Sequence, residues 1–241
     1  GLLAACETGN ILEIQSLIIQ GADIEYENSE GLTPLIISGG NGFVDNVEYL
    51  VQQGADIEHQ VANRWNALLV TCQEGRYECM KYLIENGANI EHDDVEGTNP
   101  LLLTTYRHHF DCMKLLIDCG ANLEYCEKEG ITSLIVACQR GFVDCIEYLI
   151  NQGANMEHQD ENGDTPLITA AGRGYGDCVE YLVEHGASLK SLGPRRDNGL
   201  HRACEGGYID IVKYLVEQGM SVQSQGKNDD SPLHRACKSG S

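Results

Sequence analysis

An all-α solenoid of stacked helix-turn-helix units is what this sequence predicts, and three observations in one phase predict it. Gly-Ala or Gly-Met dipeptides stand at 21, 54, 87, 120, 153, 186 and 219, each 33 residues from the next. Leu occupies 2, 35, 68, 101, 134, 167, 200 and 233 at the same interval. Two positions ahead of it runs a column of side chains that can accept from exposed backbone N–H groups. A strict period of this size belongs to one supersecondary unit, a turn and two short helices, stacked on copies of itself.

Each column has a physical role. Thr33, Asn66, Asn99, Thr132, Thr165, Asn198 and Ser231 are set to cap the first helix of each unit. Pro follows at 34, 100, 166 and 232, suited to a first helical position because its missing N–H would find no partner there. The Leu column is the expected core anchor. Gly9, Gly42, Gly75, Gly141, Gly174, Gly207 and Gly240 stand where a left-handed residue ends that helix, with His108 as the exception. A second helix then opens on Asp or Glu at 45, 78, 111, 144, 177 and 210, complementing the positive helix end. Its apolar face reads Val47, Tyr49, Leu50, Val51 and then Met80, Tyr82, Leu83, Ile84. The Tyr at 49, 82, 148, 181 and 214 can pack a ring while the hydroxyl reaches solvent. The Gly-Ala pair stops this helix, and a polar loop leads to the next cap.

Composition narrows the function. The 241 residues carry 16 Lys plus Arg against 37 Asp plus Glu, a net charge of −21, which argues against nucleic acid as a partner. No apolar run approaches the roughly 20 residues of a membrane helix, and the opening Gly-Leu-Leu-Ala-Ala-Cys is too short an apolar run for a secretory signal. Most of the eleven Cys fall in two columns, 79, 112, 145, 178 and 6, 72, 138, 204, 237. Helices one repeat apart lie about 8–10 Å from each other, too far for a disulfide's Cα separation of roughly 4.4–6.8 Å. These are expected to be reduced packing thiols on buried or half-buried faces, in a reducing cytoplasmic compartment, with the nucleus left open. Cys119 and Cys126 fall outside both columns.

The strings Gly31-Leu-Thr-Pro-Leu35, Gly163-Asp-Thr-Pro-Leu167, Leu200-His-Arg-Ala203 and Leu233-His-Arg-Ala236, with the Gly-Ala-Asp/Asn pairs, resemble the ankyrin repeat along essentially the whole chain. That resemblance implies a curved stack with hairpin-like loops projecting as fingers. It implies binding of other proteins through the fingers and the concave face of the first helices, with no catalytic residues. The expected layout is one domain over 1–241, with repeats near 1–28, 29–61, 62–94, 95–127, 128–160, 161–193 and 194–226 and a partial one at 227–241. Glu25, Glu58, Glu91, Glu124 and Glu157 replace the Asn that some family members carry and hydroxylate, so that modification is not expected. Arg64-Trp-Asn-Ala-Leu68 and Arg196-Asp-Asn-Gly-Leu200 displace both Pro and the turn Gly and are expected to be the softest junctions. Neither terminal repeat reads as a polar cap, so a segment of a longer array is expected, an arbitrary chain end being the alternative.

Three sets of surface residues are not explained by the scaffold. Arg107, Arg140 and Arg173 share one column at the ends of first helices, with Tyr106 beside them. They either complement helix C-termini or hold an acidic peptide or terminal carboxylate. The Glu column is followed by Tyr26, His59, His92, Tyr125 and His158; local Glu–His pairing, a pH-sensitive finger edge and a surface for a basic partner are all open, whereas one repeat is too great a spacing for a shared metal. Trp65, the only Trp, is a binding anchor or a finger-packing residue, and Lys190, Arg195 and Arg196 give the sixth finger a local basic charge. The expected function is a monomeric protein-interaction scaffold, with no enzyme activity, cofactor or metal. A regulatory segment of a larger enzyme or channel is the alternative.

Overall fold

The computed structural model describes residues 1–193, 196–226 and 230–240. The described residues form fifteen helices, falling into two compact units, Gly1–Asn122 and Leu123–Ser241. The first unit holds α1 (Leu2–Thr8), α2 (Ile11–Ile19), α3 (Pro34–Asn41), α4 (Val44–Gln52), α5 (Ala67–Gln73), α6 (Tyr77–Glu85), α7 (Pro100–Tyr106) and α8 (Phe110–Asp118). The second holds α9 (Ser133–Arg140), α10 (Val143–Asn151), α11 (Pro166–Arg173), α12 (Gly176–Glu184), α13 (Gly199–Gly206), α14 (Ile209–Glu217) and α15 (Pro232–Ser239). Within each unit, odd-numbered helices pack on odd and even on even, so every repeat adds one helix to each of two layers.

The capping column acts as the sequence predicts. Thr33, Asn66, Asn99, Thr132, Thr165, Asn198 and Ser231 each accept the backbone N–H three residues on, closing the first turn of the helix that follows. Asn198 and Ser231 form reciprocal caps with His201 and His234 at the third helical position. His108 adopts φ 58, the left-handed conformation that Gly supplies at its column mates. Arg64 (φ 67) and Arg196 (φ 54) hold the same backbone region at the tips of the second and sixth fingers.

The core is built from the interleaved columns. Leu35, Leu68, Leu101, Leu134, Leu167 and Leu200 are buried, as are Val47, Met80, Met113, Ile146 and Val179 on the second helices. Cys6, Cys72, Cys79, Cys112, Cys138, Cys145 and Cys178 are buried with them. Two expected core positions differ: Leu233 is 69% exposed and Cys237 is exposed, because α15 packs chiefly on α13 and no second helix lies over it among the described residues.

Gly199 opens α13 where α3, α5, α7, α9, α11 and α15 open on Pro, Ala or Ser. A Cβ there would meet Ala171 at 3.5 Å and Leu215 at 3.7 Å, ordinary contact distances. Gly199→Ala is therefore expected to stabilise α13 by about 0.5–1 kcal/mol, through the conformational entropy glycine gives up on folding. Slower amide exchange in α13 is the readout, and unchanged exchange would refute it.

Candidate functional site

The fingers are hairpin-like loops closed by one backbone bond each. The N–H groups of Asn28, Val61, Asp94, Glu127 and Asp160 donate to the carbonyls of Leu32, Trp65, Thr98, Ile131 and Asp164. Consecutive fingers within a unit are joined by the Glu column. The Oε1 atoms of Glu25, Glu58 and Glu91 accept the N–H groups of Asp56, Asn89 and Asn122 at 2.7–2.8 Å, and Glu124 and Glu157 do the same for Asn155 and Ser188. The second oxygen is used within the repeat at two of them, Asn66 donating to Glu58 at 3.1 Å and Asn99 to Glu91 at 3.0 Å, whereas at Glu157 it accepts the Ser191 hydroxyl of the next finger at 2.6 Å. The principal partner of this column is thus backbone rather than His. His92 and His158 bond back to the carbonyls of Arg64 and Gly130, while Glu–His proximity is looser, 3.5 Å for His59–Glu27 and 3.9 Å for His158–Glu124.

In the second unit the face of the first helices α9, α11 and α13 carries a cavity of about 370 Å³. Gln139, Thr169 and the predicted Arg173 line it, with Asp160 and Asp164 from the finger and Glu205 from α13. Arg202 also lines it, Nη2 donating to both Asp164 oxygens at 2.9 and 2.7 Å. Arg173 and Arg140 are exposed at the ends of α11 and α9, which pack side by side. One repeat on, Arg235 donates to the buried Asp197 at 2.9 Å and lies 3.9 Å from Glu205 and 3.7 Å from Asp230. His201 is buried between them, and burial holds its imidazole below the ordinary histidine range, favouring the neutral form. Arg196 is exposed at the sixth fingertip; Arg195, predicted with it, lies outside the described residues.

The first unit has its own cavity of about 520 Å³ on the corresponding face of α1, α3 and α5, bordered by Glu7, Glu30, Glu74, Ile36, Val70 and Arg76. Arg107 is exposed at the end of α7 and donates to the Gln73 side chain at 3.0 Å, and Tyr106 beside it is half-buried. Trp65 is half-buried, its Nε1–H donating to Asp94 of the next finger at 3.2 Å. Within the second unit the predicted Arg140 and Arg173 stand at the ends of adjacent helices. Sequence reasoning missed Arg202 and Arg235, although the signal was present: Asp164 and Asp197 precede them by the same 38 residues.

The buried thiols are packing groups. Burial pushes Cys79, Cys112 and Cys178 up to about 11 and Cys145 up to about 12, and raises Cys72 and Cys138 well above the ordinary range. Each stays protonated at neutral pH, and the thiol is the unreactive form. Among the described residues no helix is long and apolar enough to cross a membrane.

A family model described as "Ankyrin repeats (3 copies)" matches residues 2–94, 41–125, 101–192 and 189–241. The crystal structure of the human ASB11 ankyrin repeat domain superposes with a TM-score of 0.81 at 25% identity, covering 91% of this chain and 98% of that one. No curated protein matches.

Proposed function

Because the chain belongs to the ankyrin-repeat family, whose arrays are generally protein–protein interaction modules, we propose that it is a non-catalytic scaffold binding a peptide or folded partner through the first-helix face and the fingers. The cavity over α9, α11 and α13 is the observation that carries this. Exposed Arg173 offers a fork of donors to a partner carboxylate, while Asp160 and Glu205 accept from the partner's backbone or side-chain donors. Arg140 extends that cationic edge along the unit. Arg107 with Tyr106, the ring of Trp65, and Arg196 supply further contacts in their own units. Affinity comes from a few such anchors rather than from the whole face. Residues 1–241 act as one repeat domain, consistent with family matches that overlap along the chain. The free cysteines support a reducing, cytoplasmic setting.

A labelled Glu-containing peptide with a free terminal carboxylate tests the cationic edge by fluorescence anisotropy. Arg173→Glu is expected to weaken binding about tenfold or more, with a salt dependence that the wild type shows and the variant loses. Equal affinity for both proteins would remove Arg173 from the binding surface.

A further inference from the structure

Repeat symmetry separates apolar side chains exposed by their place in the array from those exposed by their identity. Leu233 belongs to a column whose other members are buried, so it is a core position and marks no docking surface. Leu12 and Ile19 on α2 are 75% and 81% exposed and belong to the other class. The column of Leu12 reads Asp45, Glu78, Asp111, Asp144, Asp177 and Asp210, and that of Ile19 continues Gln52, Glu85, Asp118; all are exposed, and Asp45, Gln52, Glu78, Glu85 and Asp177 remain so on α4, α6 and α12, each packed between second helices on both sides. A preceding repeat would therefore leave Leu12 and Ile19 uncovered. Two large apolar side chains stand at positions that are polar in every other repeat.

Seven residues apart, the pair lies on one stripe of α2, about 10 Å along the axis, with exposed Ser16 between. The surroundings are acidic. Glu13 is exposed on the same helix, and Asp45 and Glu48 lie on α4, which packs beside it. Residues 1–63 contain ten Asp and Glu and no Lys or Arg. A second copy of this chain would bring the same negative surround to the contact, and an anionic lipid surface would be repelled in the same way. We propose that the outward face of α2 docks a basic amphipathic helix, its apolar stripe over Leu12 and Ile19 and its Lys or Arg margins beside Glu13, Asp45 and Glu48. This surface lies on the second-helix layer, apart from the first-helix face, and stands or falls independently of it.

The test uses a labelled helical peptide of about 18 residues with Leu at i, i+3, i+4 and i+7 and Lys along both margins, measured by fluorescence anisotropy. The variant Leu12→Asp/Ile19→Gln installs residues that the same columns already carry, and an Asp in the first turn favours the helix, so its far-UV spectrum and melting should match the wild type. The peptide should bind the wild type, bind the double variant about tenfold more weakly or worse, and bind Asp45→Lys more weakly, with affinity falling as salt rises. Arg173→Glu should leave this binding unchanged. Equal affinity for the wild type and the double variant overturns the proposal, as does equally tight binding of a peptide with Glu margins. Sedimentation showing a wild-type dimer that the double variant abolishes would overturn it in favour of self-association.

Discussion

Arg235→Ala is expected to destabilise the α13–α15 end of the second unit by about 3 kcal/mol or more, the usual cost of stripping one partner from a buried ion pair. Asp197 is 1% exposed and Arg235 11%. The guanidinium also lies near Glu205 and Asp230; its removal leaves the buried Asp197 without this cation, while Asp230 keeps the Lys238 ammonium at 2.8 Å. α15 has little else to hold it, Pro232 being its buried residue and Leu233 facing out. Amide exchange should rise in α15 and also in α13, where buried His201 lies close to Asp197 and Arg235. Faster exchange confined to α15 would mean that the pair only tethers a terminal helix. Replacing both members, Asp197→Leu with Arg235→Met, should recover much of the loss, because the desolvation of two charges disappears together with their attraction. A double variant as unstable as Arg235→Ala would show that shape rather than charge sets the cost.

Glu91→Gln is expected to cost the first unit about 2 kcal/mol. One carboxylate oxygen accepts the Asn122 N–H at 2.7 Å and the other accepts from Asn99 Nδ2 at 3.0 Å, while Asn99 uses its own Oδ1 to cap α7. An amide at position 91 can satisfy one of these donors and must turn its own NH₂ toward the other, replacing two charge-assisted bonds with one neutral bond and a donor–donor conflict. Asn99→Thr, a cap that the chain uses at Thr33, Thr132 and Thr165, removes the conflicting donor. The Gln substitution should therefore cost clearly less in the Asn99→Thr background, giving a coupling of about 1 kcal/mol in a double-mutant cycle. Trp65 is the only tryptophan and bonds to Asp94 two residues beyond His92, so its fluorescence reports unfolding of the unit concerned. Additive costs would mean that Glu91 and Asn99 act separately.

Much of the scaffold was legible because it depends on local chemistry repeated at a fixed interval. Thr33 and its column mates cap whatever helix follows, Gly or His108 takes the left-handed position, and Leu35 to Leu200 recur at one place in short helices whose first turns are apolar and buried. The surface was harder to read, since a column records which side chain stands at a position and not what lies across from it. Arg202 and Asp164 are separated by 38 residues, one repeat plus five, an offset that crosses two columns and becomes a contact only when neighbouring units stack. The Glu column was visible as five like charges, but its partners are backbone N–H groups of the next finger, which have no letter in the sequence.

The sequence by itself therefore determined the helices, their caps, the repeat and the family, because each follows from contacts within a single 33-residue unit. Tertiary structure alone decided which charges are spent on the scaffold and which face solvent. Arg202 and Arg235 are held by carboxylates of the preceding finger, Arg107 leans on Gln73, and Arg173 stands exposed at a cavity edge. It also decided that Leu12 and Ile19 face outward where the repeat calls for polar residues. The physical reason is the same in each case: burial and pairing depend on the neighbour brought alongside by stacking, and a one-dimensional period fixes that neighbour's backbone without saying which of its side chains will meet the charge.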